Sequence, residues 1–291
     1  MKIIECSPFF REEMLARVHI PESCKWVDEF HILEANRTHQ DKPKEFVFDR
    51  RLLEQFRNVH YHAADVSSLF KHSRKLIPRM LATPLSSGRR MVWNTAWYNE
   101  GLQRNLATSF PDIRDDDILI LSDFDEIIDS KLAERLVGEV MKRGIVTVRL
   151  HQTVFYFDLF CKRMDGHVVP DWSYRVVMLM GSVFRRKWKS DSNWLRKLGE
   201  RGGLVDQVFC PEGFHGFHIT FLGDESLVSQ KLAAYAHTEM NHLNTEKHIR
   251  ACIRNRRSIY GQELETDGSI PLLSSVESLR SEFPARFLGK H

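Results

Sequence analysis

The run Ile118-Leu119-Ile120-Leu121, followed at once by Ser122-Asp123-Phe124-Asp125-Glu126, constrains the fold of this chain more than any other stretch. Four apolar residues in a row, with no polar alternation, predict a short strand covered on both faces, as in a parallel central sheet. Sheets of that kind bind their ligands just beyond the carboxyl ends of the strands, and that is where these acids stand. If the chain stays extended, residues two apart share a side, so Asp123 and Asp125 are expected together with Phe124 turned to the core.

The flanking pattern agrees. Ile3 to Phe10 reads as a strand, Arg11 to Trp26 as a helix, and Val27 to Glu34 as a strand with alternating apolar residues. A strand, helix, strand opening implies an α/β fold with a mostly parallel central sheet flanked by helices. Glu34, Asn36 and Thr38 then fall at the edge of the ligand site. Helices are expected over Trp93 to Phe110, stopped by Pro111, and over Lys131 to Arg143. Strands are expected at Ile145 to Leu150, Thr153 to Phe160 and Tyr174 to Met180, and helices around Glu225 to Met240 and Glu246 to Arg257. The basic stretch Arg74 to Arg90, with Pro78, Pro84 and Gly88, reads either as a loop over a bound anion or as a solvated linker. With no repeat and no convincing linker, residues 1–291 are expected to form one domain.

Composition removes several classes of function. The 291 residues are 42% hydrophobic and 28% charged, which suits an ordinary globular core. The 42 Lys and Arg nearly balance 39 Asp and Glu without a dense basic stripe, so nucleic acid is not an expected partner. The longest apolar runs fall far short of the roughly 20 residues that span a bilayer, so no membrane span is expected. Glu5 interrupts the apolar start and no small-residue cleavage site follows, which points to a cytoplasmic protein. The five cysteines are scattered without a CxxC pair and suggest neither a disulfide framework nor a zinc site.

Two carboxylates at a strand end suit Mg2+ or Mn2+, which keep positions for water and phosphate oxygens; a nucleoside diphosphate is the natural third party. The plainer reading is that the acids cap the helix that begins near Asp129. A haloacid-dehalogenase type phosphatase also places a DxD after an apolar strand, but here Glu126-Ile127 follows Asp125 instead of a residue pair ending in Thr. A second cluster, Gly213-Phe214-His215-Gly216-Phe217-His218, offers one of two imidazoles to complete a metal sphere, or a histidine bonded within the core.

These residues resemble glycosyltransferase family 17, the β-1,4-mannosyl-glycoprotein N-acetylglucosaminyltransferase-like group, from about Ile3 to Gly261. Pro8-Phe9-Phe10-Arg11-Glu12-Glu13-Met14-Leu15 is similar to the family's opening, and Val27 to Thr38 to its "VD-x-F-x-I-x-E-x-N-x-T" pattern, continued by Lys42-Pro43-Lys44. Gln103-Arg104-Asn105 matches its "QRN" helix, and Asp123-Phe124-Asp125-Glu126-Ile127 its "D-x-DEI". Gly216-Phe217-His218 is similar to its "GWH", with Phe217 in place of Trp, and Lys231 to Glu239 to its "K-x-x-x-[FY]-x-H-T" helix. The membrane anchor and stem of the animal members have no counterpart in this sequence.

The resemblance implies a GT-A type fold and metal-dependent, inverting transfer of a sugar from a nucleotide-sugar donor, UDP-GlcNAc in the family, to a carbohydrate acceptor. Carried over, Asp125 would bind Mn2+ or Mg2+, Asp123 would face ribose or a metal-bound water, and His218 would be the third protein ligand. Arg104 and Lys231 are candidates for the diphosphate, and Glu34 and Asn36 for the nucleoside. Inversion needs a base to take the acceptor's proton, with Glu225, Asp224 and Glu126 as candidates, and the resemblance gives residues of about 1–128 to the nucleotide and about 129–291 to the acceptor; the alternative for Glu225 is to stabilise a helix N-terminus. Trp97, Tyr156, Phe157 and Trp172 are candidate sugar-stacking aromatics. The alternative functions are a metal-dependent phosphohydrolase acting on a nucleotide-sugar or phosphate ester, and a non-catalytic sugar- or nucleic-acid-binding module.

Overall fold

β1 (Ile3–Phe9), α1 (Glu13–Ser23) and β2 (Glu29–Ala35) open the computed structural model as the expected strand, helix and strand. Residues 1–70, 95–162, 171–188, 191–201 and 208–289 are described. The basic stretch Arg74 to Arg90 and Trp93 lie outside the described residues. The chain continues through α2 (Arg51–Gln55), β3 (Val59–Ala64), α3 (Thr95–Ala107), β4 (Ile118–Leu121), β5 (Glu126–Ile128) and α4 (Ala133–Arg143). β6 (Ile145–Val154), β7 (Phe160–Cys161), β8 (Asp171–Met180), α5 (Gly181–Trp188) and α6 (Ser192–Arg201) follow. It closes with β9 (Gly216–Thr220), α7 (Glu225–Leu232), α8 (Glu246–Arg254), β10 (Leu264–Glu265) and α9 (Ser274–Glu277).

The strands join in one sheet in the order β10-β7-β6-β8-β4-β1-β2-β3, with β9 beside β6 and β5 beside β9. β3, β2, β1 and β4 run parallel. β8 enters antiparallel between β4 and β6, and the fold is α/β with helices against the sheet.

The apolar run at β4 explains why the sheet is covered on both sides. Ile118 and Ile120 pack on one face with Phe9, Phe30, Ile32 and Phe124. Leu119 and Leu121 pack on the other with Ile4, Cys6, Leu33 and Leu195. Each such side chain contributes about 1.5–3 kcal/mol when fully buried, so β4 is fixed in place from both layers and the residues that follow it leave the sheet at a defined point.

Two expected elements take another form. The strand foreseen over Thr153 to Phe160 is interrupted, because β6 ends at Val154 and Phe155 turns the chain at φ +67°. Phe157, a candidate for sugar stacking, is instead a core side chain only 1% exposed and packed on Phe287. Tyr156 is partly buried in the cluster around Phe221 and Ile249. The helix foreseen from Glu225 to Met240 stops at Leu232 and resumes as a 3-10 turn over Thr238–Leu243. Among the described residues no helix is long and apolar enough to cross a membrane.

Candidate functional site

The chain does not stay extended after β4. It turns at Phe124 and Asp125, and the Glu126 amide donates to the Asp123 carbonyl at 2.9 Å. Phe124 is driven into the core, 2% exposed and edge-on to Phe9 with centroids 4.9 Å apart. The two aspartates flank that anchor and meet different cations, which corrects the expectation of an extended pair converging on one point.

Asp123 accepts from Arg104 at both oxygens, Nε to Oδ1 at 3.1 Å and Nη2 to Oδ2 at 2.7 Å. Arg196 adds a second guanidinium, with Nη2 donating to Asp123 Oδ2 and to Glu126 Oε1 at 2.9 Å each. Glu126 is fully buried, and its Oε2 accepts the Asp123 amide at 2.7 Å. Burial opposes the charge on Asp123, but Arg104 and Arg196 outweigh it and hold the carboxyl below its ordinary range. Glu126 goes the other way: burial, reinforced by the nearby aspartates, raises its pKa despite Arg196.

Asp125 Oδ2 accepts from Lys231 Nζ at 2.6 Å and lies 3.4 Å from His218 Nε2. Burial again opposes the carboxylate, and Lys231 and His218 together outweigh it and depress its pKa. Two elements bring those partners in. β9 pairs antiparallel with β5, placing His218 opposite Glu126, and the Ile219 amide donates to the Asp125 carbonyl at 2.8 Å. Gly216 makes the pairing possible: at its φ of +151° a Cβ would fall 2.0 Å from the Ile127 carbonyl oxygen. α7 supplies Lys231, and Asp224 starts that helix by accepting the amides of Ser226 and Leu227 at 3.0 and 3.1 Å.

Asp123, Asp125, Glu126, His218, Arg104 and Lys231 are therefore brought together from four parts of the chain. His215 is not among them, since its Nδ1 accepts the Arg149 amide at 3.3 Å. Glu225 pairs with Arg250 of α8 at 2.9 and 3.1 Å, and Asp224 is committed to its cap. Glu34 is fully buried; it takes Lys44, the amides of Val47 and Phe48 at 2.9 and 3.1 Å, and the Tyr61 hydroxyl at 2.8 Å. That is a complete set of partners within the fold. Asn36 joins the end of β2 to the segment after β3, donating to Asp65 at 2.8 Å and accepting the Val66 amide at 3.0 Å. Trp97 packs edge-on to His237, with centroids 4.4 Å apart. The Trp172 side chain lies outside the described residues.

Sequence reasoning missed Arg196, which sits among Lys197 and Arg201 on a helix where nothing local distinguishes it. It also missed the support beneath the turn. His19, fully buried, places Nδ1 3.0 Å from the Phe124 carbonyl oxygen and Nε2 3.0 Å from Glu5 Oε1. Ser122 Oγ donates to the same Glu5 oxygen at 2.8 Å. Glu5 was visible only as an acid interrupting an apolar strand.

The donor set of an aspartate oxygen beside an imidazole suits Mn2+, and its carboxylates suit Mg2+. Carboxylates also exceed cations here, with Glu12, Glu100, Asp123, Asp125 and Glu126 against Arg104, Arg196 and Lys231. The residues fit a divalent ion, and the ammonium of Lys231 is its competitor for Asp125. A cavity of about 330 Å³ lined by Asp158, Asp267, Pro271 and Arg280 shares none of these residues.

No family model matches the chain, and no curated protein matches it. Among solved structures, S. aureus TarS 1-349 is 10% identical, with a TM-score of 0.40 over 88% of this chain and 73% of that one. The same protein in complex with UDP-GlcNAc gives 10%, a TM-score of 0.41, and 88% and 74% coverage. A 4-diphosphocytidyl-2C-methyl-D-erythritol synthase is 14% identical, with a TM-score of 0.38 over 73% of this chain and 88% of that one. Likenesses this distant assign no role to any residue.

Proposed function

We propose that the chain is a metal-dependent, inverting glycosyltransferase of the family 17 type, transferring N-acetylglucosamine from UDP-GlcNAc to a glycan or other hydroxyl acceptor. The observation that carries this reading is the Asp125 carboxylate, fixed where the parallel strands end, within reach of both His218 and Lys231. Asp125 and His218 would hold Mn2+ or Mg2+, which when bound neutralises the charge growing on the departing diphosphate and orients the donor.

The chain's own residues supply the rest. Arg104, Arg196 and Lys231 are held in place by Asp123, Asp125 and Glu126, and once a dication offsets the excess of carboxylates they would be preorganised donors for phosphate oxygens. The depressed pKa values of Asp123 and Asp125 keep both ionised throughout the neutral range. Glu126 positions Asp123 and Arg196. For proton removal, the Glu225 carboxylate remains the proposed base, its side chain 37% accessible, and it must exchange Arg250 for the acceptor hydroxyl. The half before Asp129 would serve the donor, joined there by Arg196, His218 and Lys231, and the rest of the half after it would serve the acceptor.

A phosphohydrolase using Asp123 as nucleophile is disfavoured, because both Asp123 oxygens are taken by guanidiniums. The test is a thermal-shift screen of UDP-, GDP- and CMP-sugars with and without Mn2+. Stabilisation by a UDP-sugar only when Mn2+ is present is the expected result. Equal stabilisation without metal, or none by any nucleotide-sugar, would overturn the reading.

A further inference from the structure

A second group of metal-ligating side chains lies on β2 and β3, two and three strands along the sheet from β4. Glu29 and His31 are two apart on β2, and His60 and His62 two apart on β3, so each pair shares a face. The parallel register sets His31 opposite His60 and Leu33 opposite His62. One ligand atom each from Glu29, His31 and His60 lies within 4.8 Å of the others. Among the described residues β3 is the outer strand of the sheet, and His60 on it is exposed.

We infer that Glu29, His31 and His60 form a binding site for a divalent cation of the zinc class, with His62 orienting His31. Two imidazoles and a carboxylate are a donor set that zinc accepts, and three protein ligands leave a fourth position to water. Tetrahedral ligands at zinc distances stand about 3.3 Å apart, so a small rotation of exposed His60 closes the set.

The surroundings are arranged for that role. Lys2 holds one oxygen of Glu29, which leaves Oε2 facing His31 Nε2 at 3.1 Å. The other nitrogen, His31 Nδ1, lies 3.0 Å from His62 Nε2. This is the outer hydrogen bond that fixes the tautomer of a ligating histidine. His62 is itself held between His31, 5.2 Å away and 5° from parallel, and Phe110, 3.9 Å away and 12° from parallel. Stacked imidazoles repel one another when charged, and burial keeps both His31 and His62 below the ordinary histidine range. A bound ion would tie the edge strand β3 to β2 by a cross-strand link in addition to the ladder.

The test is isothermal titration of ZnCl2 into the full chain at neutral pH, with thermal unfolding of the same samples. In the Asp125→Asn background, which removes the other candidate divalent site, one ion per chain with a raised unfolding midpoint is expected. Adding His60→Ala removes the exposed ligand, should match the Asp125→Asn parent in EDTA, and should abolish both signals. Adding His62→Ala should weaken binding about 10- to 100-fold. Zinc binding that survives His60→Ala in that background, that is absent from Asp125→Asn alone, or that never saturates would each overturn the assignment. Because Asp125 is replaced in all of these proteins, failure here leaves the proposed transferase site untouched.

Discussion

Lys231 Nζ donates to Asp125 Oδ2 at 2.6 Å, joining residues 106 positions apart. His218 reaches the same oxygen at 3.4 Å. One carboxylate oxygen is therefore shared by an ammonium and an imidazole, and in the proposed reaction by a dication as well.

That competition predicts the behaviour of Lys231→Met. Without the ammonium the largely buried Asp125 carboxylate loses its strongest partner, at a cost of about 1–3 kcal/mol, below the range for a fully buried pair because the lysine is partly accessible. Mn2+ should then restore stability, and its effect on the unfolding midpoint should be larger in the variant than in the wild type. Equal metal responses would show that lysine and metal do not compete.

Arg196 is only 2% exposed and serves Asp123 and Glu126 together. Arg196→Met should destabilise the chain by about 3–5 kcal/mol, since it leaves buried acids without their guanidinium. Adding Glu126→Gln should recover part of the loss, because the double variant no longer buries that carboxylate unpaired. Urea denaturation of the two single variants and the double variant measures the coupling; strict additivity would contradict it.

Gly216→Ala should cost about 3 kcal/mol or more, since neither its backbone angle nor the Ile127 carbonyl leaves room for a methyl group. The damage should be local to the β5 and β9 pairing. Hydrogen exchange should therefore show lost protection at Ile127 and Phe217 while β1 and β2 remain protected.

Glu22 sets a pH dependence away from the candidate site. It accepts Lys25 at 2.8 Å and the Ser130 amide and hydroxyl at 3.1 and 2.6 Å, joining α1 to the turn after β5. Burial opposes its charge, but Lys25 and Ser130 outweigh it, and its pKa falls from 4.5 to about 2. A folded-state value below the unfolded one means stability that is present above about pH 4.5 and lost as pH falls toward 2. Asp125 contributes with the same sign. Unfolding free energies measured between pH 6 and pH 2.5 should fall less steeply for Glu22→Gln than for the wild type.

Much of this was legible because it is written locally. The apolar run at β4 and the acids after it announce a strand end, and the spacing of Gly216 and His218 marks the second cluster, on β9. What the sequence does not carry is partnership across the chain. Arg196 has the same neighbours as any basic residue on a surface helix, and only the packing of α6 against β8 and α3 makes it an inner residue. Glu34 shows the converse: an acid at a strand end reads as a ligand until Lys44, Tyr61 and two amides are seen to satisfy it. Phe157 misled for a third reason, since a run of aromatics after β6 looks like a strand whether or not the backbone turns at Phe155.

In the proposed reaction Asp125 holds a divalent ion for a nucleotide-sugar diphosphate. Calorimetric titration of UDP-GlcNAc into wild type and Asp125→Asn, each with Mn2+ and with EDTA, tests it most directly. The wild type should bind with Mn2+ and little or not at all with EDTA, and Asp125→Asn should lose the metal-dependent component while remaining folded. Equal UDP-GlcNAc affinity for both proteins in Mn2+ would contradict it.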